Sequence, residues 1–146
     1  MRDLEFAIGD GLRENTAVEK GIMKRETHYP VGEYEMIYNG PHFFLSNPYY
    51  KTPRSTCKLN SDYDRINLST LEEDYYPRSN YVPLIPKKDF ISLAKGFIIG
   101  HDSKGKPIYD NLIDYYRLAF SAMVGTSSER TLSGAILPAK TAHVHA

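Results

Sequence analysis

The sequence predicts an α+β fold of mixed, mainly antiparallel strands with two or three short helices. Short aromatic and apolar segments alternate with Gly, Pro and Asn, which is the pattern of strands joined by turns. Helical spacing of apolar residues is confined to brief stretches. The chain has 146 residues, of which 41% are hydrophobic and 12% aromatic, so it is about the size of one domain with a real core. We expect a single domain or domain fragment over residues 1–146, with a helical lead-in at 1–30 and the main module at 31–146.

The first part of the chain predicts one helix followed by extended structure. Residues Thr16 to Arg25 have helical spacing, with Thr16 as the cap and Glu19 at capping-box distance. Tyr34 to Tyr38 and His42 to Leu45 are aromatic and extended, and the Asn-Gly-Pro sequence between them predicts a turn. This arrangement predicts a helix, a strand, a turn and a second strand.

The second half of the chain predicts one further helix and at least two strands. Lys88 to Lys95 has helical spacing, and Gly96 is placed to end that helix. Phe97 to Gly100 predicts a strand followed by a polar turn. Tyr109 to Met123 predicts either a long helix or a helix that passes into a strand, and Leu132 to Pro138 predicts a strand of small residues.

One aromatic segment carries basic residues without any acidic ones, although the 18 basic and 18 acidic side chains of the whole chain cancel. Residues 36–61 contain no Asp or Glu, whereas residues 61–74 are acidic and predict a solvated connection. Two prolines place Lys51 and Arg54 on a loop or a ragged strand edge. Cations clustered among aromatic rings favour binding to a polyanion such as nucleic acid. The alternative is that the segment forms core strands joined by a basic turn.

The composition also predicts where the protein works. A single cysteine, Cys57, excludes an intramolecular disulfide, a CxxC redox pair and a cysteine-based zinc cluster, which favours a reducing compartment. No apolar run is long enough for a signal peptide or a membrane-spanning helix. We therefore expect a cytoplasmic protein without a membrane partner.

One sequence motif and one pair of histidines resemble parts of enzyme sites, and neither predicts catalysis. Ser46 to Tyr50 resembles the Asn-Pro-Pro-Tyr loop of methyltransferases that act on an exocyclic amine, but the middle proline is missing and no glycine-rich turn follows a strand. His143 and His145 share a face and would bind a metal only if His42 or a carboxylate joined them. We expect no catalytic residue, no cofactor site and no metal site.

Several segments occur in an order that is typical of one protein family: Gly40 to Arg54, Asp62 to Asp64, Tyr76 to Pro83, Arg117 to Phe120 and Thr126 to Pro138. This set resembles the C-terminal target-recognition region of large adenine-specific DNA methyltransferases. These are the methylases of combined restriction-modification polypeptides and of phage-exclusion systems, including those with a TaqI-like specificity domain. The last segment, followed by Ala142-His143, is similar to the family's Ser-Thr-Asn-Glu-Arg-Thr-Leu run, its Ile-Pro-Pro step and its Ala-His.

The resemblance implies a module that grips double-stranded DNA and reads base edges while a separate catalytic domain extracts an adenine. It implies no activity in this chain, since S-adenosylmethionine is expected only in the missing catalytic domain. The family's module continues past its Ala-His step, so we expect this chain to be a truncated form. The alternative is a protein-interaction or scaffold fragment that docks on a separate catalytic domain.

The expected DNA contacts are basic or amide side chains together with one tyrosine. Arginine can pair with a phosphate or with the acceptor edge of guanine, and asparagine can read adenine. Arg130 has a rival role in fixing a turn beside Glu129, and Tyr81 has a rival role in packing. The predicted DNA-binding residues are Lys51, Arg54, Lys58, Arg78, Asn80, Tyr81, Arg117 and Arg130.

Overall fold

The computed structural model describes residues 12–43, 47–93, 96–120 and 134–144. Within those ranges the chain forms two short α-helices and ten short strands, with four single 3-10 turns between them. The elements are α1 (Glu14–Glu19), β1 (Met23–His28), β2 (Ile37–Tyr38), β3 (Lys51–Pro53), β4 (Tyr63–Arg65), β5 (Ser79–Pro83), α2 (Lys87–Ser92), β6 (Gly96–His101), β7 (Pro107–Asn111), β8 (Arg117–Phe120), β9 (Gly134–Leu137) and β10 (Ala142–His143). The 3-10 turns are Glu33–Glu35, Gly40–His42, Leu68–Thr70 and Leu112–Asp114.

The strands pair two by two. Strands β1 and β5, β3 and β4, β6 and β7, and β8 and β9 are antiparallel, whereas β2 and β10 are parallel. The predicted α+β class with mainly antiparallel strands is therefore confirmed.

Helix α1 ends six residues before the predicted boundary at Arg25. Gly21 has a φ of 65°, and the N–H groups of Gly21 and Ile22 donate to the carbonyls of Val18 and Ala17 at 3.0 and 2.9 Å. These two bonds form a Schellman motif, which stops a helix at a left-handed glycine. The residues after Gly21 then enter β1. The predicted cap is also wrong, since Arg13 precedes the first helical residue.

Two predicted strands differ from the structure at their described residues. The segment from Tyr34 to Tyr38 begins as a 3-10 turn, and only Ile37–Tyr38 is extended. The predicted strand at His42 begins instead as the end of the Gly40–His42 turn, because the N–H of Asn39 donates to Nδ1 of His42 at 3.1 Å and Pro41 favours a helical start. Residues 44–46 lie outside the described ranges.

Of the elements predicted in the second half of the chain, some are confirmed and one is wrong. The helix predicted from Lys88 is confirmed as α2, and the strand predicted at Phe97–Gly100 is confirmed within β6. The helix that both alternatives placed from Tyr109 is wrong, because residues 109–111 lie in β7, which pairs with β6. The strand of the second alternative is found as β8, and residues 121–123 lie outside the described part. The strand of small residues is confirmed as β9, while residues 132 and 133 lie outside the described part.

Two buried clusters form the core on opposite sides of β2. Ile37 belongs to the first, whereas Met36 and Tyr38 belong to the second, because successive side chains of an extended segment point to opposite faces. The first cluster consists of Ala17, Met23, Ile37, Tyr81, Phe90, Ala142 and Val144. The second consists of Met36, Tyr38, Ala119 and Leu137. Strand β2 thus joins the lead-in elements to the later strands.

Candidate nucleic-acid interface

The β3–β4 hairpin places two cations directly opposite each other. Lys51 pairs with Arg65 in the register, Thr52 with Asp64, and Pro53 with Tyr63. Directly opposed residues of an antiparallel pair project on the same face of the sheet. Lys51 is half-buried and Arg65 is exposed. The register therefore brings together one predicted residue and one that the sequence analysis did not select.

An aromatic ring lies beside both cations. The Nζ atom of Lys51 is 5.3 Å and the Cζ atom of Arg65 is 5.5 Å from the centroid of the Tyr50 ring. Within the described ranges, no carboxylate lies within 4 Å of either cation. Cations at this distance are attracted to the ring face. We call Tyr50, Lys51 and Arg65 the Tyr50 cluster; it is a positive surface whose charge is not neutralised by a described acid.

Arg54 lies on the other side of the hairpin. Its Nε atom donates to Oδ1 of Asp64 at 2.9 Å, and this bond raises the pKa of Arg54. Lys51 and Arg54 are three residues apart, and the alternation of an extended strand puts such positions on opposite faces. The structure therefore separates Arg54 from Lys51 and pairs it with an acid.

Lys58 lies in the loop of the same hairpin and is exposed. The backbone N–H groups of Leu59 and Lys58 donate to Oδ2 of Asp62 at 2.9 and 3.0 Å, and these bonds lower the pKa of that carboxyl. Arg25 donates from Nη2 to the carbonyl of Lys58 at 2.9 Å. Asp62 thus shapes the loop through backbone bonds, and the Lys58 side chain stays at the surface.

Arg78 forms a second pairing of a cation with a ring. Its Cζ atom is 5.1 Å from the centroid of the exposed Tyr29 ring. The backbone N–H of Arg78 donates to Oγ1 of Thr52 in β3 at 2.9 Å. Arg78 is consequently fixed beside the hairpin that carries the Tyr50 cluster.

His42 connects these two cationic positions. It is fully buried, with its ring edge-on to those of Tyr38 and Tyr63 at centroid distances of 5.6 and 5.8 Å. Its carbonyl accepts from the N–H of Tyr50 at 2.7 Å, and its Nε2–H donates to the carbonyl of Arg78 at 2.8 Å. Burial lowers the pKa of His42 to about 4, so the ring is neutral at pH 7. A neutral histidine therefore fixes the backbone at both cationic positions.

The structure corrects the prediction for Asn80 and Tyr81. Asn80 is 0% exposed and its Oδ1 accepts from Oγ1 of Thr27 at 2.8 Å. Tyr81 is 2% exposed and belongs to the first core cluster. Strand β5 pairs with β1 and packs against β2, and this position encloses both side chains. Neither residue presents a side chain to a duplex.

Arg117 has a structural role rather than a surface one. Its Nη2 atom donates to the carbonyl and hydroxyl oxygens of Thr141, the latter at 3.1 Å, and lies 3.4 Å from the carbonyl of Pro138. Burial lowers the pKa of its guanidinium. Arg117 thus ties β8 to the turn before β10. The last predicted contact, Arg130, lies outside the described residues.

The sequence analysis missed Arg65 and Tyr29. Arg65 follows two aspartates in the acidic segment 61–74, so composition alone does not mark it as part of a positive surface. The signal that finds it is the antiparallel register, which places it opposite Lys51. Tyr29 directly follows β1 and lies outside the aromatic segment 36–61.

Comparisons with protein-family models, curated proteins and solved structures find no match to this chain. In the described part of the chain no three His, Cys, Asp or Glu side chains form a metal-binding group. The two ring nitrogens of His42 are hydrogen-bonded inside the fold, so that residue does not extend toward His143, and His145 lies outside the described ranges. No helix among the described residues is long and apolar enough to cross a membrane.

Proposed function

We propose that this chain binds double-stranded DNA as the target-recognition module of an adenine-specific DNA methyltransferase. The observation that supports DNA binding is the Tyr50 cluster, in which Lys51 and Arg65 lie side by side without a described acidic partner. The assignment to a methyltransferase rests on the ordered segments that resemble that family. Methyl transfer, with the S-adenosylmethionine that it consumes, would belong to a separate catalytic domain.

The charges of the hairpin favour a polyanion even though the whole chain is neutral. Residues 51–65 contain four basic and two acidic side chains. Asp64 is paired with Arg54 and Asp62 accepts backbone bonds, which leaves Lys51, Lys58 and Arg65 as the cations available to a ligand. Attraction to phosphate depends on the local field at such a surface rather than on the total charge.

The two cationic positions would have different roles in the complex. The Tyr50 cluster would contact phosphates, because lysine and an exposed arginine on a rigid ladder suit backbone contacts that set the register on DNA. Arg78, whose backbone is held by Thr52 and His42, would present its guanidinium beside Tyr29 to a phosphate or to a guanine edge. Tyr50 would hold the two cations in place.

Fluorescence anisotropy with a random-sequence duplex across a salt series tests this proposal. Binding that weakens steeply as salt rises is expected, since released counterions give log affinity a negative slope against log salt. The absence of binding at low salt would contradict the proposal. A methyl-donor frame fused to or beside this gene would support the methyltransferase assignment.

A second function is favoured by the outer face of the β8–β9 ladder. Leu118 and Ile136 are register partners that are 62% and 60% exposed, and Phe120 lies next to them on the same face. Such a face is typical of a surface that docks on another protein. In this case the chain would dock on a catalytic domain without gripping DNA itself. Concentration-dependent association in sedimentation, lost in Leu118→Lys, would support docking.

A further inference from the structure

A cavity of about 400 Å³ lies beside the first core cluster, and the β3–β4 hairpin contributes nothing to it. Its walls come from the end of β1, the segment 31–35, the end of β5 and helix α2. The volume falls in the range of sites that hold small molecules. The size alone admits many ligands, so the chemistry of the walls must decide the class.

Most of the wall is apolar and suits a flat, apolar body. Val82, Pro83 and Ile85 line it from the end of β5 and the residues after it, and the buried Phe90 contributes from α2. Tyr34 adds an aromatic ring from the facing segment. Walls of aliphatic and aromatic groups with a few polar atoms are the usual composition of small-molecule sites, and the rings of Tyr34 and Phe90 favour a ligand with a ring of its own.

One cation, Lys87, and one carboxylate, Glu35, line the cavity. The Nζ atom of Lys87 is 4.0 Å from the centroid of the Tyr34 ring, and no described carboxylate lies within 4 Å of it. The acidic group of the cavity, Glu35, already accepts from the N–H of Val31 at 2.9 Å. An anionic group would therefore find its partner at Lys87.

His28 supplies an unpaired polar group. Both of its ring nitrogens are shielded from solvent and neither has a hydrogen-bond partner among the described residues. Nε2 is 3.9 Å from Oε2 of Glu35, which is beyond hydrogen-bond range. A buried donor or acceptor without a partner is unfavourable, and a ligand that pairs with it would remove that penalty.

We propose that this cavity binds a small, flat aromatic anion. The ring would lie against Tyr34, Ile85 and Phe90, the anionic group would pair with Lys87, and a polar atom would bond to His28. This site is independent of the proposed DNA surface, so either proposal stands if the other fails.

The test is a titration of the isotope-labelled chain with indole-3-acetate, followed by two-dimensional amide NMR. For a probe of this size we expect a dissociation constant of about 1 mM or tighter, with shifts at the amides of residues 28, 31–35, 82, 84, 85 and 87–90. Lys87→Met should weaken binding about tenfold, which is the usual scale of one charge-assisted contact. Lys88→Met is the matched control, since Lys88 is an exposed neighbour that does not line the cavity.

A second probe isolates the charge. Indole-3-ethanol has the same ring without the carboxylate, so it should bind the wild-type chain more weakly than indole-3-acetate and should bind Lys87→Met and wild type equally. Three results would overturn the proposal. They are no shifts at about 10 mM probe, shifts confined to residues 116–120 and 136, or an equal loss of affinity in the Lys87 and Lys88 variants.

Discussion

Lys51 and Arg65 lie directly opposite each other in the β3–β4 ladder, and both cations approach the ring of Tyr50. Like charges in this position oppose pairing of the strands, while the ring attracts each of them. Two unneutralised cations on one face of the hairpin lower the stability of the folded chain and concentrate positive charge there. Such a local excess of positive charge is expected of a surface that binds an anionic partner.

Removing either cation should therefore relieve repulsion. In a double-mutant cycle of Lys51→Met and Arg65→Met, measured by urea unfolding at low salt, we expect an unfavourable coupling of about 0.5 kcal/mol between the two wild-type side chains. The coupling should shrink in high salt because ions screen exposed charges. The Arg54 and Asp64 pair of the same hairpin is the control, and its coupling should have the opposite sign. A favourable coupling between Lys51 and Arg65 would show that the two cations do not repel.

His42 predicts a loss of stability in acid. Its folded pKa of about 4 is lower than the usual value of 6.5, so the unfolded chain binds the proton more tightly. The stability that the neutral ring contributes is complete above pH 6.5 and is lost as the pH falls toward 4, by about 3 kcal/mol in total. Histidine-ring NMR should follow the titration directly, and a pKa near 6.5 for His42 would contradict the account.

A variant separates this effect from the acids that titrate in the same range. His42→Gln should lower stability at pH 7 and flatten the dependence of stability on pH between 4 and 6.5. His101→Gln is the control for the loss of an exposed histidine.

Replacing Gly21, which ends helix α1, should lower stability. Its φ of 65° lies in the left-handed region, where an added Cβ is unfavourable even though the space around it is open. Gly21→Ala should lower the free energy of unfolding by about 1 kcal/mol. Gly32 has extended backbone and equal space, so Gly32→Ala should change stability little. Urea unfolding of both variants checks the prediction, and equal losses would contradict it.

Much of the fold could be predicted from local pattern, and the failures have physical causes. Helix α2 and strand β6 were predicted because each is bounded by its own signals. The end of α1 was available in the sequence at Gly21, but the apolar spacing beyond that glycine outweighed it. The strand at Tyr109 was missed because its partner is β6, and pairing with a neighbouring strand overrides local helical spacing.

The site was predicted in part. Lys51 and Lys58 could be identified from the local absence of acids, and the structure leaves both available. The neutralisation of Arg54 by Asp64, the placement of Arg65 beside Lys51 and the burial of Asn80 depend on strand register and on the packing of β5. Within the hairpin the pairing depends on the register, and for Asn80 it depends on β1, so neither follows from the composition of one segment.

Asn80 should affect stability rather than recognition. Asn80→Ala leaves the hydroxyl of Thr27 without its acceptor and opens a small space, which should lower the free energy of unfolding by about 2 kcal/mol. At a temperature where the variant is folded, its affinity for a random duplex should equal that of wild type. A loss of affinity limited to particular adenine-containing duplexes would contradict this and would support a base contact by Asn80.

In the proposed complex Lys51 and Arg65 contact phosphates, and the salt slope of duplex binding tests these contacts most directly. The double variant Lys51→Glu with Arg65→Glu is compared with Lys104→Glu and Lys106→Glu, which make the same change of charge at the exposed β6–β7 turn. Anisotropy should show the slope of log affinity against log salt reduced by about two in the hairpin variant and unchanged in the control. Equal slopes in wild type and both variants would contradict the account.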